Sequence, residues 1–175
     1  MAVCLLMAVR EFKDEAPITL NEIANCFEKC GHRVNVRAIV REALRLKSVT
    51  GQAPSIRRPE DYVPRVLSML MNSPKVVKKI ESRGWDSKDY ENHLRDKMFS
   101  VLEMIPSSKR GGRNPFIFTV SAAYASDRLI ATDTGRRSVL TQKLASDATE
   151  VAEYSIRDHF GMMKQVIESV QQVVV

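Results

Sequence analysis

The sequence predicts an all-α protein. Three observations carry this. Only 7 Gly and 7 Pro occur in 175 residues, too few for the many turns of an all-β fold. Apolar residues recur at 3.6-residue spacing, as in "VNVRAIVREALRLK". Helix-start signals precede such runs, as Thr19 with Glu22 three positions on in "PITLNEIA".

Residues 2–13 read as the first helix. Its opening, "MAVCLLMAV", is nine apolar residues, short of the roughly 20 that span a bilayer. No basic segment precedes it, so a secretory leader is not expected. A helix apolar all round calls for neighbours on every side. If Met1 is the native start, a partner or second copy is expected over residues 2–9. A second helix follows Thr19 and stops at Gly31. The third carries Val36, Ile39, Val40, Ala43, Leu44 and Leu46 as its apolar stripe, with Arg37, Arg41 and Arg45 four apart on another face. "SVTGQAPSIRRPED" is rich in turn residues and marks a boundary. The division is 1–50, a linker at 51–59, and 60–175.

In the second part, "PEDYVPRVLSMLMNS" opens a helix with Pro64 in its first turn, where no N–H is missed. "SPKVVKKIES" and "SKDYENHLRDKMFSVLEMI" follow, separated at "RGWD". The methionines and the stripe "MFSVLEMI" read as core, and Trp85 as a local packing anchor. "PSSKRGGRNP" reads as a basic loop. "NPFIFTVSAAYASDRLIA" is a helix of apolar and small residues, hence central. Its aromatic and β-branched start resembles a strand, but its length favours helix. "TDTGRR" reads as a loop. "LTQKLASDA" and a long last helix, from about Thr149 towards Gln172, complete the chain. The order of apolar helix, Thr-capped short helix and arginine-bearing helix occurs twice, offset by on the order of 120 residues.

Net charge is +6 and the isoelectric point about 9.4, which suits an anionic partner, nucleic acid first. Cys4, Cys26 and Cys30 are too few and odd for a disulfide framework, so a reducing cytoplasm is expected. Cys26, Cys30 and His32 lack a second ligand pair for zinc, and the thiols read as buried or half-buried. His32, His93 and His159 lie in unrelated contexts, with no P-loop or dinucleotide fingerprint elsewhere. Neither an enzyme nor a cofactor is expected.

Four segments, in order, carry a family resemblance: "PITLNEIA", "RPEDYVPRVLSML", "GGRNPFIFTVSAAYAS" and "TQKLASDATEVAEYSIRDHF". Together they resemble the C-terminal core of the transcription initiation factor IIB family, most like archaeal transcription factor B. The resemblance implies two tandem cyclin-like helical bundles, the first incomplete here, the second ending in a helix-turn-helix. It implies binding to TATA-binding protein and to promoter double-stranded DNA upstream of the TATA element, with no membrane association. Tyr154 and Arg157 align with the family's groove-reading valine and arginine, and an arginine can read guanine O6 and N7 together. Ser155 and His159 are expected on the same exposed face, within reach of phosphate. Thr141 and Gln142 start the preceding helix. Lys109, Arg110, Gly112 and Arg113 lie where the family's loop runs close to the DNA backbone. Arg37 and Arg41 align with residues that meet TATA-binding protein.

The chain departs from the pattern in three ways. Its turn glycine is Glu150. The first two helices of repeat one have no counterpart. No paired Cys-x-x-Cys occurs, so direct polymerase recruitment is not expected. Residue by residue, Arg157 can instead pair Glu153 one turn back, and Glu150, Glu153 and Asp158 oppose phosphate. The alternative is therefore a cyclin-box module that binds protein alone and no longer reads DNA.

Overall fold

The computed structural model describes residues 1–11, 18–51 and 57–173. Among them are ten α-helices, one 3-10 turn and no strand. The chain divides into two compact units, Met1–Arg57 and Arg58–Val175.

The first unit holds α1 (Ala2–Glu11), α2 (Leu20–Lys29) and α3 (Val36–Thr50). Thr19 caps α2 with the reciprocal pair its spacing predicts. Its hydroxyl accepts from Glu22 N at 3.2 Å, and Glu22 accepts from Thr19 N at 2.8 Å. Asn35 caps α3 by accepting from Ala38 N at 2.8 Å. The α3 helix ends on Gly51 in the left-handed region, so Ser48–Thr50 are helical rather than loop. The end expected for α1 at residue 13, and linker residues 52–56, lie outside the described residues.

The core of this unit is small: Leu6, Ile23, Ala24, Ile39 and Ala43. Leu6 alone is buried in α1, so the all-round cover expected for that helix is not found within the unit. Val40 and Leu44, counted with the apolar stripe, are exposed. The three cysteines are exposed too, against expectation. The buried face of α2 is narrow, formed by Ile23, Ala24 and half-buried Phe27, and Cys26 and Cys30 fall outside it.

The second unit opens with the 3-10 turn Pro59–Tyr62. It continues as α4 (Val63–Met71), α5 (Pro74–Ser82), α6 (Ser87–Met104), α7 (Ser107–Arg110), α8 (Pro115–Thr134), α9 (Gln142–Thr149) and α10 (Glu153–Val173). Pro64, Pro74 and Pro115 each sit in a first turn, where the missing N–H costs nothing. The long helices α6 and α10 pack against α8, which is buried continuously from Phe118 to Asp127. Ser121, Ala122, Ala123, Ala125 and Ser126 keep α8 thin enough for close packing, so the small-residue run marks the central helix as expected.

Three details differ from the sequence reading. The "TDT" of the expected loop is helical, and α8 stops only at left-handed Gly135. The loop before α8 contains the short helix α7. Of "MFSVLEMI", Met98, Val101, Leu102 and Ile105 are core, but Phe99 and Met104 are exposed because an eight-residue run covers two helix turns and only one face meets the bundle. Met1 is exposed as well. Trp85 is a packing anchor: its ring meets Tyr90 edge-on at 5.9 Å and His93 at 5.2 Å.

Candidate nucleic-acid interface

Helices α9 and α10 are joined by a three-residue turn, Glu150–Ala152. Thr141 caps α9 by accepting from Leu144 N at 3.1 Å. At the other end, Glu150 adopts φ 58°, the one positive φ of a non-glycine residue among those described. Its N–H donates to Ser146 O at 2.8 Å, closing the helix. Val151 is buried and anchors the turn. Such a pivot suits glycine, which reaches it without a Cβ clash; here a glutamate holds it.

The buried stripe of α10 is Ile156, Met163 and Ile167, with Phe160 edge-on to Tyr124 at 4.8 Å. That stripe turns Tyr154 and Arg157 outward, and Tyr154 is 74% exposed. Arg157 Nε donates to Gln142 Oε1 at 3.3 Å, not to Glu153. The structure thereby brings the expected reader Arg157 beside the first turn of α9. Ser155 is half-buried, and its carbonyl accepts from His159 Nδ1 at 2.7 Å.

His159 is not on the exposed face. Its side chain is 12% accessible and its ring stands perpendicular to Phe118 at 5.9 Å. Lying three residues after buried Ile156, it falls on the packed side of α10. Its Nε2 is buried without a partner.

The basic loop also differs from a row of free cations. Arg110 is turned into the bundle, where it donates to Ile105 O at 2.7 Å, to Leu102 O, and to Glu60 Oε1 at 2.5 Å. At the end of α6, Leu102 O accepts from Ile105 N at 3.3 Å, and Arg110 adds a donor to it and to Ile105 O, where regular helical partners run out. Arg113 pairs with Asp158 of α10 at 3.4 Å and donates to Lys109 O at 3.2 Å. The loop and the start of α10 are therefore side by side. Lys109 is exposed, and Gly112 supplies a left-handed turn at φ 72°. Exposed Lys143, beside Gln142, adds a further cation that no sequence motif singles out. Arg37 and Arg41 are exposed on α3 of the first unit, with Arg41 3.3 Å from Glu42.

The polar centre beneath this surface is Asp127, an acid in the middle of the apolar helix α8. Its carboxylate accepts from Tyr90 Oη at 2.9 Å, Val139 N at 3.0 Å and Leu140 N at 2.9 Å. It thus ties the segment entering α9 to α6 and α8. Burial pushes Asp127's carboxyl above the ordinary carboxylate range; its three donors and the Arg128 charge pull the other way and fall short. Burial, then the Asp127 charge, holds the Tyr90 phenol well above its usual value. The only sequence sign of this centre was a charge inside "SAAYASDRLIA".

Among the described residues no three His, Cys, Asp or Glu side chains group as metal ligands, and no helix is long and apolar enough to cross a membrane. No family model matches the sequence, and no match to a curated protein was found.

Proposed function

We propose that this chain is a promoter-binding core of the transcription initiation factor IIB type, which engages TATA-binding protein and promoter DNA without catalysis. The observation that carries the reading is the α9–α10 pair. A short capped helix and a positive-φ pivot at the family's glycine position lead into a long helix whose Tyr154 and Arg157 face outward. Arginine and tyrosine on the first turns of the second helix are placed as in groove-reading helix-turn-helix proteins. Gln142, Lys143, Lys109 and Arg113 flank them as phosphate contacts. Arg37 and Arg41 would meet TATA-binding protein through acidic groups on its surface. Arg110 and His159 take structural roles in this reading.

A second reading has its own support. Arg113 is already paired with Asp158, Arg110 with Glu60, and Glu150 and Glu153 flank the turn. A surface so tempered fits a cyclin-like module that binds protein alone. A gel-shift with TATA-binding protein and a TATA-containing duplex, at stated salt, separates the two. The first reading expects a ternary complex that weakens as salt rises. A chain that binds TATA-binding protein but leaves DNA unshifted, at any salt, supports the second.

A further inference from the structure

A different surface of the second unit concentrates positive charge more strongly than the helix-turn-helix does. We propose that Arg83, Arg128, Arg136 and Arg137 form a binding site for a diphosphate or triphosphate group. The four side chains line one cleft of about 490 Å³, together with small and hydroxyl residues, and no carboxylate lines it. That volume is in the range of small-molecule sites.

Two of the arginines are fixed in place by aromatic rings, which orient a guanidinium without neutralising it. Arg136 lies over Trp85, 4.2 Å from the ring centre, and donates to Gly84 O at 3.2 Å. Arg128 lies over Tyr124 at 5.3 Å and donates to its hydroxyl at 2.9 Å. Arg83 adds a second kind of observation: its Nε is buried with no hydrogen-bond partner. Asp133 pairs with Lys97 at 2.7 Å, and buried Asp127, whose hydrogen bonds go to Tyr90, Val139 and Leu140, answers only part of the Arg128 charge.

The charge sets the ligand. Guanidinium forks match phosphate oxygens two at a time. One phosphate carries roughly 1.5–2 negative charges at neutral pH, too few to answer four guanidiniums, whereas linked phosphates supply more. Each of these two rings already holds a guanidinium, and no aromatic side chain lines the cleft to stack on a nucleobase. The site therefore reads the phosphates and ignores what they are attached to.

The test is calorimetric titration of the full chain, at physiological salt, with pyrophosphate, tripolyphosphate, ATP, inorganic phosphate, sulfate and a duplex oligonucleotide. Saturable one-to-one binding of pyrophosphate and tripolyphosphate is expected, with ATP similar to tripolyphosphate and the single anions about tenfold weaker or more. Arg128→Gln and Arg137→Gln should each raise the dissociation constant about tenfold. Arg137→Gln keeps the test sound if loss of the Tyr124 contact unfolds the other variant. Linked phosphates binding no better than sulfate, or binding unchanged by Arg137→Gln, overturns the proposal. ATP binding without tripolyphosphate would assign the cleft to the nucleoside and also overturn it. Duplex binding lost in Arg137→Gln, with no tripolyphosphate binding, would make the cleft a DNA-backbone contact instead.

Discussion

Asp127→Asn tests how the helix-turn-helix is held. The parent carboxylate accepts three hydrogen bonds of 2.9, 3.0 and 2.9 Å, the first two on Oδ1 and the third on Oδ2. Asparagine keeps the shape but only one acceptor oxygen. If that oxygen keeps Tyr90 and Val139, the amide NH2 faces the N–H of Leu140, donor against donor. One buried N–H left unpaired costs about 1–3 kcal/mol. The surviving bonds also fall from charge-assisted to neutral strength, roughly half as strong. Relief from burying a charge offsets part of this, leaving a loss of about 2–4 kcal/mol. Trp85 is the sole tryptophan and lies in the second unit against Tyr90, so its fluorescence in urea follows this unit alone.

The pH dependence of that loss has a definite sign. Burial holds Asp127's native pKa above its value in the unfolded chain, roughly 3.9, so the native state binds the proton more readily. The stability from this proton is complete below the unfolded value and is lost as pH rises through the native one. The gap between parent and Asp127→Asn should therefore widen as pH falls from neutral to about 4. A variant within about 0.5 kcal/mol of the parent at neutral pH, or a gap that narrows towards acid, refutes the clamp.

Other changes probe the same surface. At Glu150, glycine should be more stable than alanine by about 1 kcal/mol in urea unfolding, because only glycine escapes the positive-φ strain; the usual order would deny that strain. Thr141→Ala should cost about 1 kcal/mol through loss of the α9 cap, measured by the same Trp85 signal. His159→Phe keeps the ring beside Phe118 and removes the unpartnered Nε2, so DNA affinity should stay within about twofold of the parent in a gel-shift. A large loss of binding would return His159 to the interface.

Much of the architecture was legible because it rests on local signals. The Thr19–Glu22 capping box, the prolines in first turns and the small-residue run of α8 are all written in short windows. What the sequence concealed depends on direction and on distant partners. The burial of His159 is set by Ile156, three residues earlier on the packed side of α10, and not by any motif around the histidine. Arg110 carries the same charge as Lys109, yet the carbonyls at the end of α6 and Glu60, fifty positions earlier, draw it inward. The pairing of Arg113 with Asp158 spans forty-five positions and appears in no local motif. Asp127 showed itself only as a charge out of place, with nothing to name Tyr90, Val139 and Leu140 as its donors. The four-arginine cleft draws on the turn after α5 and on the end of α8 with the segment that follows it, which only the fold brings together.

In the proposed promoter complex, the outward face of α10 reads a duplex through Arg157. Ternary-complex affinities with TATA-binding protein should be measured for parent and Arg157→Ala across promoter duplexes that differ only upstream of the TATA element. The parent should discriminate among them, and Arg157→Ala should lose about 1–3 kcal/mol of that discrimination. Lys109→Ala should weaken every duplex alike and flatten the salt dependence. Equal affinities for all duplexes with the parent, or a preference that survives Arg157→Ala unchanged, would contradict this role of Arg157.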